Sequence, residues 1–331
     1  MAERTLIWTR LDYERDGRQV DWLHLPHSVT RSAYGTIAIP AAVVRNGPGP
    51  TALLMAGNHG DEYEGQVALC NLIRELRPER IRGRVIILPA ANLPAVMAGT
   101  RTSPIDEGNL NRSFPGEPHG TPTRAIAHYI DSVLFPLADL FHDLHSGGGS
   151  LAYMQFASTH AGPDPAVHER GLAALRAFAA PVSLVWRAGS DVRFSPHAAM
   201  RRGVPALGGE FGGGGSLSRR GLAIVEDGLE RLLRHLGIVE GRPEPRPTRM
   251  MEVPTRDHFV YAPGAGVFEA ATELGDAVRA GGLCGRVHFV DDPARPPLEC
   301  RFAADGVVVC QRHPARVERG DCVAHTAVDV P

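Results

Sequence analysis

The stretch Thr51-Ala52-Leu53-Leu54-Met55-Ala56-Gly57-Asn58-His59-Gly60-Asp61-Glu62 decides the fold. Its first six residues are an apolar run closed by glycine, which reads as a buried strand ending in a tight turn. Directly after it, Glu64-Gly65-Gln66-Val67-Ala68-Leu69 begins apolar spacing of helical period. A strand-to-helix turn at the carboxyl edge of a parallel sheet is where α/β proteins hold their ligands. This turn carries an imidazole and a carboxylate three positions apart, His59 and Glu62. One divalent metal can accept both, the strand fixing His59 and the helix start fixing Glu62. Two ligands alone hold zinc poorly, so a third must come from elsewhere. On its own, H-x-x-E is a short pattern that many loops carry as ordinary polar groups.

The flanking segments extend the α/β reading. Arg84-Val85-Ile86-Ile87-Leu88-Pro89 is a second buried strand, and strand, helix, strand in this order argues for a parallel pair with a crossover. The segment ahead of Thr51, closed by the turn Asn46-Gly47-Pro48-Gly49-Pro50, supplies edge strands. Helices fit Thr123 to Leu134, Val167 to Ala179 and Leu222 to Leu236. Strands fit Ala138 to His145, Leu151 to Phe156 and Val182 to Trp186, with a further strand end at Pro205 to Glu210. Gly241-Arg242-Pro243-Glu244-Pro245-Arg246-Pro247 alternates proline with charge, as a semi-rigid linker does. The expected organisation is an α/β domain over 1–240, with a mixed, largely parallel sheet flanked by helices, then a linker over 241–256 and a smaller all-β domain over 257–331.

Composition narrows the function. In 331 residues, 43% hydrophobic and 22% charged side chains are ordinary for a globular protein, and a net charge of −2 creates no field for nucleic acid or an anionic membrane. All 35 basic residues are arginine, which excludes a lysine Schiff base, a P-loop lysine and a lipoyl or biotinyl attachment site. The five cysteines show no Cys-x-x-Cys spacing, so a thiolate zinc site is not expected. Met1-Ala2-Glu3-Arg4 is unlike a signal peptide and no apolar run reaches membrane-spanning length, so a reduced cytoplasmic setting is expected. The expected partner is a small molecule, and the chain is expected to form a homo-oligomer.

His145 ends its strand just before Ser146-Gly147-Gly148-Gly149. Because successive strand side chains face opposite ways, Asp143 and His145 share a face and His142 points away. His145 is therefore the expected third metal ligand. Asp143 is either a partner of that ligand or a strand-end carboxylate meeting an arginine. Between Ala98 and Gly120 runs a long polar loop containing Gly108-Asn109-Leu110-Asn111-Arg112-Ser113-Phe114-Pro115-Gly116. The guanidinium fork of Arg112 with the amide of Asn111 suits a carboxylate, and Arg101 lies on the same loop. Without a metal motif, arginines on such a loop would be read as solvated. Gly208-Gly209-Glu210-Phe211-Gly212-Gly213-Gly214-Gly215 places one carboxylate amid backbone that can approach a ligand closely. Glu210 is the candidate general base, distinct from Glu62, although an acid beside glycines is by itself more often a turn feature.

The ordered set of His59-x-x-Glu62, Asn111-Arg112, Asp143-Leu144-His145 and Glu210 resembles the succinylglutamate desuccinylase/aspartoacylase family, itself akin to the zinc carboxypeptidases. The match runs from Thr51 to Gly215. Arg101 corresponds to the arginine preceding the Asn-Arg pair, across a gap a few residues longer than usual. The resemblance implies a zinc carboxypeptidase-like domain followed by a β-rich one, with one Zn²⁺ per chain on His59, Glu62 and His145. It also implies Glu210 as general base, Arg101 facing the oxyanion, Asn111 and Arg112 holding the α-carboxylate, and a small N-acyl amino acid as substrate. Within the family, Gly57 to Gly65 and Glu210 to Gly215 are most similar to the deacetylases acting on N-acetyl-L-2,4-diaminobutyrate in ectoine breakdown. Glu273 to Gly281 resembles the turn region of biotinyl/lipoyl folds, without the acceptor lysine. Asp191 and Arg193 are the candidates for the distal end of the substrate. A deacylase of an acidic amino acid and a metallocarboxypeptidase share most of these features. A non-catalytic sugar- or peptide-binding protein would leave the three ordered ligand-type residues unexplained.

Overall fold

The computed structural model describes residues 5–162, 164–188 and 191–330. β1 (Gly17–Pro26) and β2 (Thr36–Asn46) form a long antiparallel pair at one edge of the sheet, as edge strands were expected here. β3 (Thr51–Ala56), α1 (Glu64–Glu75), β4 (Gly83–Leu88) and α2 (Leu93–Ala98) follow, and β3 and β4 are parallel neighbours joined by the helical crossover. Next come α3 (Pro122–Tyr129), continued by a π-turn at Ile130–Leu134, and β5 (Leu140–Leu144), parallel to β3. β6 (Leu151–Tyr153), β7 (Phe156–His160), α4 (Pro165–Phe178), β8 (Val182–Trp186), α5 (Ser195–Arg201), β9 (Ala206–Glu210), α6 (Arg219–His235) and β10 (Arg249–Val253) complete the α/β portion.

After a 3-10 turn at Arg256–His258, the regular elements of the remaining described residues are strands: β11 (Phe259–Tyr261), β12 (Gly266–Ala270), β13 (Ala277–Val278), β14 (Leu283–His288), β15 (Leu298–Arg301), β16 (Gly306–Arg312), β17 (Arg316–Val317) and β18 (Cys322–Asp329). The large sheet runs β1-β2-β4-β3-β5-β9-β7-β8-β10-β18-β16-β13, and β15-β14-β12-β17 form a separate antiparallel sheet.

Two expectations are corrected. Leu151 to Phe156 is not one strand: Leu151–Tyr153 pairs with β16 while Phe156 begins β7 against β9. The break falls where Met154 turns its N–H to Val309 O at 3.0 Å, so the two halves serve different partners. The expected linker contains β10, whose residues pair in parallel with β8, and whose Met251 and Val253 are fully buried. Through β10 and β18 the C-terminal strands continue the main sheet rather than hanging from it.

Alternation along the central strands builds a core on each face of the sheet. On β3, Leu53 and Met55 join a cluster with Phe135, Phe141, α3 and α5, whereas Ala52, Leu54 and Ala56 join α1, α4 and α6 on the other face. Phe141, in the middle of β5, is fully buried and meets Phe135 edge-on at 4.9 Å. Phe141→Ala is expected to cost about 3–5 kcal/mol of folding stability, read from urea unfolding, because the cavity lies between two rigid layers. No helix among the described residues is long and apolar enough to cross a membrane.

Candidate active site

The turn after β3 is held by close backbone approach. A Cβ on residue 60 would stand 1.9 Å from the carbonyl oxygen of Ala95 at α2, so only glycine lets the turn pack there. This fixes His59 above the carboxyl end of β3, with Glu62 in the turn just ahead of α1; both are buried. His59 Nδ1 lies 2.7 Å from Glu62 Oε1, and His145 Nδ1 lies 2.7 Å from Glu62 Oε2. His145 arrives one residue past β5, the parallel neighbour of β3, which is why residues so far apart in sequence meet.

The other nitrogen of each ring is committed. His59 Nε2–H donates to Asn109 Oδ1 at 3.1 Å, and His145 Nε2–H donates to Asp143 Oδ2 at 2.9 Å. With Nε2–H of each ring committed, loss of the Nδ1 proton would leave two imidazoles and one carboxylate as a donor set within 4.8 Å of one another. Such a cluster can hold a cation, and the carboxylate–histidine pairing is the usual support for a metal-ligating imidazole. The residues fit a divalent ion of the zinc class. Asp143, fully buried, also accepts from Asn58 Nδ2 at 2.8 Å and from the Ser195 hydroxyl. Burial works against its charge, but His145 and these donors hold its carboxyl below the usual range. Burial likewise opposes protonation of His145, yet Asp143 and Glu62 raise it well above an ordinary histidine. His142 points to the opposite face, where Nε2–H donates to Gly208 O at 3.2 Å and the ring meets Phe178 edge-on at 4.9 Å.

Glu210 ends β9 beside His145: His145 N–H donates to Gly209 O at 3.1 Å, and Phe211 N–H donates to His145 O at 3.0 Å. Its Oε2 is buried with no hydrogen-bond partner among the described residues. Burial and then the Glu62 carboxylate push the Glu210 acid well above the usual carboxylate range, and a bound dication would draw it back down. Behind it, Glu64 accepts from Ser146 Oγ at 2.5 Å and from Ser218 N–H at 2.8 Å, tying the loops after β5 and β9 together.

From the long loop, Arg101 Nη1 reaches within 3.5 Å of Glu62 Oε1 and 3.4 Å of His59 Nδ1. Asn111 Nδ2 stands 3.5 Å from His145 Nε2, and its Oδ1 accepts from Ser195 N–H at 2.8 Å. The Arg112 guanidinium lies over the Phe194 ring at 4.1 Å, and burial together with Arg101 draws its pKa down to about 10. His59, Glu62, Arg101, Asn111, Arg112, His145 and Glu210 line one cavity of about 420 Å³. Asp191 and Arg193 do not line it; they pair with each other at 2.7 Å.

The catalytic-domain model of the succinylglutamate desuccinylase/aspartoacylase family matches residues 48–236. The chain belongs to that family. It is 43% identical over 321 residues, 96% of this chain and 94% of that protein, to the N-alpha-acetyl-L-2,4-diaminobutyric acid deacetylase of Halomonas elongata. The product-bound ectoine utilization protein EutE of Ruegeria pomeroyi superposes with a TM-score of 0.95 at 44% identity, covering 98% of this chain and all of that one. A succinylglutamate desuccinylase/aspartoacylase of Rhodobacter sphaeroides gives a TM-score of 0.94 at 42% identity, covering 99% of this chain and all of that one.

Several residues in and behind this family member's cavity escape a reading by motif. Asn109 precedes the Asn-Arg pair and orients His59, and Ser195, at the start of α5, bonds both Asp143 and Asn111. Trp186, Phe259, Tyr153 and His325 form an aromatic wall from β8, β11, β6 and β18. Nothing in their local sequence marks them, since strand pairing across the chain is what assembles the wall.

Proposed function

We propose that the protein is a zinc-dependent amidohydrolase that removes the acetyl group from N-α-acetyl-L-2,4-diaminobutyrate in the breakdown of ectoine. The observation that carries this reading is one cavity holding the His59, Glu62 and His145 donor set, a Glu210 carboxylate whose Oε2 has no partner among the described residues, and the guanidinium groups of Arg101 and Arg112. The relative from Halomonas elongata, by its name, supports the choice of acyl group and amino acid.

His59, Glu62 and His145 would hold one zinc ion. When bound, zinc supplies a Lewis acid and lowers the pKa of a water toward about 7. Glu210 accepts a proton from the water that attacks the amide carbonyl, and Arg101 faces the oxyanion that develops there. Glu210 then returns the proton to the nitrogen as the C–N bond breaks, leaving acetate and the free amine. Arg112 and the neighbouring amide of Asn111 hold the α-carboxylate and so fix the distance of the amide from the donor set. Asp143 and Asn109 keep the two imidazoles in the tautomer that leaves Nδ1 free for the ion. The five free thiols support a reduced, cytoplasmic setting. Homo-oligomerisation belongs to the same reading and is checked by light scattering.

The test is a panel of N-α-acetyl-L-2,4-diaminobutyrate, N-acetyl-aspartate, N-succinyl-glutamate and dipeptides, compared by kcat/KM. The first is expected to be preferred. Preference for an acidic substrate would overturn the substrate assignment, and preference for dipeptides would overturn the deacylase itself.

A further inference from the structure

We infer that His325, with Trp186 and Phe259 beside it, receives the ammonium on the substrate side chain and so sets substrate preference. This rests on the deacylase reading above. The arginine-lined part of the cavity, with Arg101, Arg112 and Asn111, suits a carboxylate. The wall contributed by β18 and its neighbours is of opposite character. His325 is 1% exposed, lines the cavity, and has no hydrogen-bond partner on either ring nitrogen among the described residues. Its ring lies 5.0 Å from Phe259, 5.5 Å from Trp186 and 5.5 Å from Tyr153.

A buried polar group left without a partner is costly, so a polar side chain placed at a cavity wall in this way calls for a ligand. Burial, and then His258, hold the His325 pKa at about 3, so the ring is neutral near pH 7 and offers one acceptor nitrogen. An ammonium satisfies that acceptor and gains the negative faces of Trp186 and Phe259. A carboxylate could take the ring's remaining N–H, but it would face the negative faces of Trp186 and Phe259, so the aromatic wall favours the cation. Arg312, the cationic residue on this side of the cavity, is engaged with Asp321 at 3.3 Å and with the carbonyls of Pro314 and Arg316. The inference also gives the C-terminal strands a function: β18 carries a residue that reads the substrate.

The experiment compares N-α-acetyl-L-2,4-diaminobutyrate with N-acetyl-L-norvaline, which carries a methyl where the first carries its ammonium. In His325→Phe the kcat/KM ratio of the two substrates is expected to fall about 10- to 100-fold, mainly through KM, because one charge-assisted hydrogen bond is lost while the apolar contact stays. His325→Gln, which keeps an acceptor, should recover part of the ratio. Trp186→Leu should lower it by removing a π face, and it carries the test if His325→Phe does not fold. An unchanged ratio in the variants of a wild type that prefers the ammonium substrate would overturn this inference and leave the deacylase reading standing. A wild type inactive on both acetyl compounds would overturn the two together.

Discussion

Dialysis of the protein against a strong chelator is expected to abolish hydrolysis of N-α-acetyl-L-2,4-diaminobutyrate, and one equivalent of zinc per chain to restore it. The donor set is the ground for this expectation. Both Nδ1 atoms lie 2.7 Å from the Glu62 carboxylate, where an ion would replace their protons, and both Nε2–H groups are already donated to Asn109 and Asp143. Without an ion the pocket keeps its acid and its arginines but has nothing to activate water, so the loss should exceed roughly 10³-fold. An ion that binds only the folded chain also raises the melting temperature, by about 4 kcal/mol of stability when present at a thousand times its Kd. That shift separates loss of the ion from loss of the fold. Asp143→Asn should weaken metal affinity about 10- to 100-fold while leaving the three ligands in place. Full activity in metal-free protein would refute the mechanism, and a site unaffected by the change at Asp143 would remove that residue from it.

How much of this was legible in the sequence follows from which interactions are local. The β3 run and its turn were readable because a buried parallel strand is apolar throughout, and all six residues of Thr51–Ala56 are buried. The choice of His145 over His142 needed only the two-residue period of a strand: the His145 ring, one residue past β5, bonds Asp143 and Glu62, while the His142 ring packs on Phe178. Long-range pairing was not readable. Met250 to Val253 carries little that distinguishes it from a linker after a proline-rich segment, and its place beside β8 depends on partners far away in the chain. Pairing also splits Leu151 to Phe156, a run that looks continuous until β16 takes one half and β9 the other. Asp191 and Arg193, an acid and a base two residues apart, pair with each other and do not line the cavity, a pairing that a charge pattern alone leaves open. His325 carried no motif at all, and its place in the site comes from a strand near the end of the chain.

Glu210→Gln should keep zinc stoichiometry and thermal stability close to wild type while lowering kcat by about 10²- to 10⁴-fold. The substitution preserves shape and hydrogen-bonding reach and removes only the ability to take and return a proton. Stability should change little, because Glu210 Oε2 has no partner to lose among the described residues and its backbone bonds to the His145 strand are untouched. Glu210 lies outside the His59, Glu62 and His145 cluster, and in the proposed mechanism the base stands off the ion to face the water. KM should move less than kcat, since the α-carboxylate is assigned to Arg112 and Asn111. Glu210→Asp, which keeps the acid but retracts it by one methylene, should fall between the two, as positioning rather than chemistry is then lost. A Gln variant that turns over at the wild-type rate with its zinc in place would remove Glu210 from the reaction. A Gln variant that loses zinc would instead make Glu210 part of the metal site.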